Sequence, residues 1–341
     1  MIKNYFKIPL FFFLVSCLQD DFTLSKVAKI NEENRYVNNY IDDYSVERGK
    51  FFEFLWNNLF NKPEKKEFQS VLLSKEIYNK KSHILSWGGH STILYQNTDL
   101  NILVDPVFSE RVSPIFLLGT KRYMPSPFNI FNLPKVDIVD ISHNHYDHLD
   151  LKTIKDLEEK FPDLLFLVPL GLKGWFLENG IENVREFDWW ETMIVKKTKI
   201  EFVPVQHWSK RTLFDKNKSL WGGWWFEHNS KSFLHLGDTG YSKDFIDIRN
   251  KLGSPDIVAI PIGAFEPRYI MKNSHLNPEE AVQTFKDLGA KIAVAIHWGT
   301  FILSQEKVDE PIKRLKRSLI KNLIEEERFR ILKHGESILV D

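Results

Sequence analysis

The run Ser142-His143-Asn144-His145-Tyr146-Asp147-His148-Leu149-Asp150 places three imidazoles and a carboxylate within the six residues from His143 to His148. Imidazole nitrogen and carboxylate oxygen suit Zn²⁺ and similar borderline ions. In an extended turn His143 and His145 can point to one side and grip one ion. Asp147 and His148, starting a helix, can grip a second ion close by. Two such ions bind and orient a water and offset charge forming on a phosphoryl or carbonyl oxygen. The plainer alternative is a polar turn of surface histidines. A two-ion centre needs more donors, and strand ends offer them. His207 ends Ile200–Val205, Asp238 follows Leu234-His235-Leu236-Gly237, and His297 ends Ile292–Ile296. Each alone reads as an ordinary strand-end residue; together they complete two sites at one edge of a sheet.

The elements that hold these residues follow from hydrophobic pattern. Candidate strands are Ile84–Tyr95, Asn101–Asp105, Asp137–Ile141, Leu164–Pro169, Lys199–Pro204, Ser219–Glu227, Phe233–Leu236, Asp256–Pro261, Lys291–Ile296 and Arg330–Val340. Candidate helices are Leu151–Lys160, Gly171–Asn179, Lys243–Leu252, Glu279–Asp287 and Glu310–Glu325. In Asn277-Pro278-Glu279-Glu280 an Asn cap, a Pro in the first turn and two acids against the dipole mark a helix start. Leading strands followed by strand–helix units predict an α/β sandwich, two sheets face to face with helices outside.

The 341 residues carry 46 Lys+Arg against 46 Asp+Glu, so no net field steers the chain toward nucleic acid, and none is expected as a partner. Twenty-seven Phe and ten Trp imply an aromatic-rich core, with a lipid-facing surface as the sharper alternative. The single cysteine, Cys17, follows Lys3, Lys7, the apolar run Ile8–Val15 and Leu14-Val15-Ser16. That run is far shorter than the roughly 20 residues of a membrane-spanning helix. It resembles a bacterial lipoprotein signal cleaved before a lipidated Cys17. Residues 1–17 are therefore read as signal and residues 18–82 as tether and aromatic extension. Residues 83–341 are read as the hydrolase domain. Within the extension, the polar stretch to about Arg48 reads as a tether. The aromatic segment from Phe51 to Phe60 would pack on the domain or dip into a lipid interface. The expected location is the bacterial cell envelope, lipid-anchored outside the cytoplasm at the outer membrane or cell surface.

The His143–His148 pattern resembles that of the metallo-β-lactamase superfamily. A closer resemblance is to N-acylphosphatidylethanolamine-hydrolysing phospholipase D. It is carried by Asp105-Pro106-Val107-Phe108-Ser109, Asp188-Trp189-Trp190-Glu191, Gln206-His207-Trp208-Ser209-Lys210-Arg211-Thr212 and Gly237-Asp238-Thr239-Gly240-Tyr241. Pro261-Ile262-Gly263-Ala264-Phe265-Glu266-Pro267-Arg268, His275-Leu276-Asn277-Pro278-Glu279-Glu280-Ala281 and His297-Trp298-Gly299-Thr300-Phe301 add to it. The resemblance implies the metallo-β-lactamase αββα sandwich and two Zn²⁺ per chain. His143, His145 and His207 would hold the first, Asp147, His148 and His297 the second, with Asp238 bridging. Asp147 and His275 are the candidate catalytic residues, His275 lying beside a lipid phosphate. His90 would support the site from nearby. The implied reaction is hydrolysis of N-acylphosphatidylethanolamine to N-acylethanolamine and phosphatidic acid. Implied partners are a phospholipid substrate and a membrane, and a homodimer is allowed. The rivals are a lactonase or phosphoesterase for a small soluble substrate and a lipid-binding surface lipoprotein.

Overall fold

The computed structural model describes residues 27–41, 48–61, 63–73, 83–113 and 119–340; Cys17 and its apolar run lie outside them. The first sheet holds β1 (His83–Trp87), β2 (Ile93–Gln96), β3 (Asn101–Val104), β4 (Ile138–Asp140), β5 (Leu165–Pro169) and β6 (Val184–Phe187). The second holds β7 (Thr192–Val195), β8 (Thr198–Val203), β9 (Gly223–His228), β10 (Lys231–His235), β11 (Ile257–Pro261), β12 (Ile292–Ile296) and β13 (Phe329–Arg330). The last strand, β14 (Ser337–Val340), returns to the first sheet. The orders are β6-β5-β4-β3-β2-β1-β14 and β7-β8-β9-β10-β11-β12-β13. Each sheet has an antiparallel half and a parallel half. The parallel pairings are β3 to β6 in one and β10 to β13 in the other.

Side-chain alternation makes the layers. In β2 Ile93 and Tyr95, in β3 Ile102 and Val104, in β4 Ile138 and in β5 Leu167 enter the core between the sheets. Their neighbours Leu94, Leu103, Val139, Phe166 and Val168 enter a second core, under the helix Leu151–Lys160 with Ile154 and Leu157. Facing them across the inter-sheet core are Phe202, Trp224, Phe226 and Phe233. The abundant aromatics thus go mainly inside, as the composition implied. The helix Pro278–Leu288 starts on the expected cap: Asn277 and Glu280 form a reciprocal capping box, and Gly289 ends the helix in the left-handed region.

Several expectations are corrected. Ile84–Tyr95 is two strands, because Gly88-Gly89-His90-Ser91 turns the chain, with Gly89 and His90 both at positive φ. Arg330–Val340 is also two strands, one in each sheet. The edge strands β6 and β7 are only four residues each and escape pattern reading. The tether reading fails for residues 27–41. The pair Lys29–Ile30 and Tyr36–Val37 forms a small antiparallel ribbon, and Ala28 and Tyr36 pack on the main core. The aromatic segment is a helix, Arg48–Phe60, with one aromatic inside and others facing out. Phe54 is buried, while Phe52, Trp56 and Phe60 are exposed. No helix among the described residues is long and apolar enough to cross a membrane.

Candidate metal centre

The donors meet where strands of both sheets end. Ser142 to His148 follow β4, His207 follows β8, Asp238 follows β10 and His297 follows β12. Backbone contacts hold the two sheets together there. Trp224 Nε1 donates to the Ile141 carbonyl (3.0 Å) and Gly222 N to the Ser142 carbonyl (3.0 Å). Gly237, at φ +60°, lies so close to Ser142 that a Cβ would sit 2.7 Å from the serine Cβ. Only glycine lets the turn carrying Asp238 approach the turn carrying the histidines.

Two four-residue groups of donors result, and Asp238, His275 and His297 make a third, smaller one. His143, His145, His207 and Asp238 offer atoms within 4.8 Å of one another, and so do His90, Asp147, His148 and His297. Asp238 reaches both: its Oδ2 is 3.2 Å from His148 Nε2 and 3.9 Å from His207 Nε2, and its Oδ1 is 3.1 Å from His297 Nε2. His297 Nε2 is also 3.5 Å from Asp147 Oδ2.

The imidazoles are set by partners on their far nitrogens. Ser142 Oγ donates to Asp105 Oδ2 (2.6 Å), so toward His143 Nδ1 (3.0 Å) it can only accept. His148 Nδ1 donates to the same Asp105 oxygen (2.7 Å), and His207 Nδ1 to the Ser274 carbonyl (2.9 Å). In all three Nε2 is the nitrogen left facing the centre. His145 approaches with Nδ1, 2.8 Å from His143 Nε2 and 3.3 Å from His207 Nε2. Nitrogens carrying lone pairs this close repel unless a proton or cation lies among them. His148 Nε2, His297 Nε2 and Asp238 Oδ1 are buried and make no hydrogen bond outside this cluster. Buried polar atoms are normally satisfied, so this donor set fits divalent metal ions.

Electrostatics divides the groups. Burial lowers His143 and His207 well below the ordinary imidazole range, and lowers His145 to about 4. In the other group burial lowers His90 to about 3, but at His148 and His297 carboxylates outweigh it. Asp238, Asp147 and Asp105 hold His148 well above its usual range, and Asp238 with Asp147 lifts His297 to about 9. Burial opposes ionisation of Asp147 and Asp238, yet the neighbouring histidines keep both well below the usual carboxylate range.

A profile described as the β-lactamase superfamily domain matches residues 100–298. The N-acyl-phosphatidylethanolamine-hydrolyzing phospholipase D 1 of Caenorhabditis elegans is 38% identical over 72% of this chain and 72% of its own. The mitochondrial enzyme of that name from Saccharomyces cerevisiae is 40% identical over 68% of this chain and 50% of its own. The chain belongs to this phospholipase D family of the β-lactamase superfamily. It is a metal-dependent hydrolase. Among solved structures, isothiocyanate hydrolase from Delia radicum gut bacteria shares the fold, with a TM-score of 0.60 at 21% identity over 75% of this chain and 98% of that one.

All seven donor residues singled out in the sequence lie in this cluster. His275 lies there too, half-buried, its buried Nδ1 3.9 Å from Asp238 Oδ2 and without a hydrogen-bond partner. Burial lowers it to about 4. Its loop is braced: Arg268 donates to the His275 carbonyl (2.9 Å) and to both oxygens of Glu280 (2.9 and 2.7 Å). His90 supports the site as expected, Nε2 being 2.8 Å from Asp147 Oδ2. Its carbonyl also accepts from His297 N (2.8 Å) and Trp87 Nε1 (2.9 Å).

Two features were missed. Asp105 carried only family resemblance, yet it orients His148 and receives Ser142 N (2.7 Å). Its place directly after an apolar strand was a signal. Strain was the other. His90 (φ +52°), Asp105 (φ +45°) and His297 (φ +60°) occupy the left-handed region without being glycine. Each costs about 1–3 kcal/mol, which surrounding structure must offset.

Proposed function

We propose that this hydrolase is a zinc-dependent phosphodiesterase that converts N-acylphosphatidylethanolamine to N-acylethanolamine and phosphatidic acid. The observation that carries the reading is His275, an imidazole whose buried Nδ1 faces the centre from outside the seven-donor set, on a loop braced by Arg268. A metal site alone does not demand it, whereas a phosphate group does. The two relatives whose names specify this lipid add weight. His143, His145 and His207 would hold one zinc, Asp147, His148 and His297 another, and Asp238 both. Bound there, the ions would lower the pKa of a water and offset negative charge on the phosphate oxygens. The water oxygen adds to phosphorus, the bond to the ethanolamine oxygen breaks, and a proton passes to that oxygen. His275 steadies the phosphate or hands over that proton; Asp147, braced by His90, keeps its donor oxygen in place.

A bilayer suits the exterior. Phe52, Trp56, Phe60, Leu213 and Phe214 are exposed. Lipidation of Cys17 would anchor the chain in the cell envelope, outside the cytoplasm, and raise its effective concentration beside the lipid. The test is incubation of the metal-loaded protein with N-acylphosphatidylethanolamine in mixed micelles, with products read by mass spectrometry. N-Acylethanolamine and phosphatidic acid should appear together. If this lipid is ignored and small phosphorylated lactones are opened, the substrate is soluble and the proposal fails. The anchor is tested separately: labelled fatty acid should attach to the wild type and not to Cys17→Ser.

A further inference from the structure

The segment before the hydrolase domain reaches the metal centre through one side chain. The Asn38 carboxamide pairs with the peptide groups of His207: Nδ2 donates to the His207 carbonyl (2.9 Å) and Oδ1 accepts from His207 N (3.0 Å). The same Oδ1 accepts from Trp221 Nε1 (3.2 Å). Asn38 therefore does for His207 what a neighbouring strand does for a strand residue, satisfying donor and acceptor together. It acts across 169 residues of chain. With the backbone gripped by Asn38 and Nδ1 held by Ser274, His207 has little freedom except to present Nε2 to the centre.

Asn38 is itself fixed. The ribbon before it is tied by Tyr36 N to the Asn217 carbonyl (2.9 Å), by Arg35 to the Lys216 carbonyl and by Ala28 N to Asp188 (3.2 Å). Beyond it, Asn39 Nδ2 donates to Asp244 Oδ1 (2.8 Å), and Tyr40 bonds to Asp247. The superfamily profile begins at residue 100, so residues 27–41 lie outside the part of the chain it matches.

We propose that residues 27–41 are a strap belonging to the metal centre, with Asn38 a positioning residue that sets His207 for the first ion. This rests on the assignment of His207 as a ligand. Removing Asn38 leaves a buried N–H and C=O unpaired at that ligand, and loss of an outer partner of a ligand typically weakens metal binding by about 10- to 100-fold. Asp147, His148 and His297 do not touch the strap, so the second ion should keep its affinity.

The test is Co²⁺ titration of the full, metal-free chain against a competing chelator, followed through the ligand-field spectrum. Asn38→Ala should weaken one binding phase about 10- to 100-fold and leave the other unchanged. Asn38→Asp keeps the acceptor and loses the donor, so it should fall between; it also serves if Asn38→Ala does not fold. Asn39→Ala cuts the strap's next tie without touching His207, so any weakening of that phase should be well below that of Asn38→Ala. Unchanged phases in both Asn38 variants overturn the proposal. So does equal weakening of both phases, or the same loss in Asn39→Ala, since each points to general loosening. A wild type that binds no Co²⁺ overturns the ligand assignment instead.

Discussion

The two donor groups share Asp238 and differ in charge. Around His143, His145 and His207 the only carboxylate in the group is Asp238, and burial keeps these imidazoles neutral. Around His148 and His297 the carboxylates Asp147 and Asp238 outweigh burial, and both imidazoles hold protons in the metal-free fold. One group is ready for a cation; the other keeps protons in its place. They also differ in support. His207 depends on the strap and the Ser274 loop, whereas His148 depends on Asp105 and His297 on the carbonyl of His90. The lesson is that a two-ion centre built around one shared carboxylate can still have halves that fill under different conditions.

Removing the shared residue should erase the distinction. Asp238→Ala is expected to lose both ions and reduce hydrolysis to background, by elemental analysis and turnover on the same sample. Metal retained in full would contradict the bridging role. Next in size, His275→Ala belongs to neither group. It should lower turnover by about 10²-fold or more, the usual scale for a positioned acid–base group, while metal content stays at the wild-type level. Concurrent metal loss would make His275 a ligand.

A third variant strikes one half. A Cβ on Gly263 would lie 2.1 Å from the His297 carbonyl oxygen, so Gly263→Ala must displace that strand end. The ion at Asp147, His148 and His297 should weaken by about 10- to 100-fold and the other remain, the mirror image of the Asn38→Ala result. Chelator competition reads both; equal weakening would deny the halves their independence.

The mildest perturbation is pH. His148 and His297 must lose protons before Nε2 can bind metal. Filling the second group at neutral pH should therefore release protons, and its affinity should fall by up to about tenfold per pH unit for each proton displaced as pH drops below about 9. The first group, already neutral, should release few. Calorimetry in buffers of different ionisation enthalpy measures this, and equal release from both phases would remove the contrast. The metal-free fold has the opposite dependence. Raised imidazole pKa values stabilise it fully below about 6.5, and that contribution is lost as pH rises through about 9. Its melting temperature should decline across that interval if other groups stay silent.

The loop donors were readable directly, because His143 to His148 are neighbours in the chain and a turn after an apolar strand leaves them little choice of direction. The helix after Asn277 was equally plain, since cap, Pro and acids act within one turn. His207, Asp238 and His297 were readable as strand ends but not as a set; the family motifs grouped them. The two-core alternation of β2 to β5 is written in the order of the residues, whereas the splits at His90 and Gly335 depend on left-handed turns that hydrophobic pattern does not record.

Chemical capacity, then, was determined by the sequence: a dense local cluster of metal donors, further donors at apolar strand ends, and an aromatic core to bury them. Tertiary structure alone decided which nitrogen of each imidazole faces the centre, because the partners Asp105, Ser142 and Ser274 reach it from other elements. It alone decided that Asn38 belongs with His207, 169 residues away. It also decided which histidines are neutral and which charged. That balance of burial against carboxylates exists only when the two sheets have closed over the same few ångströms of space.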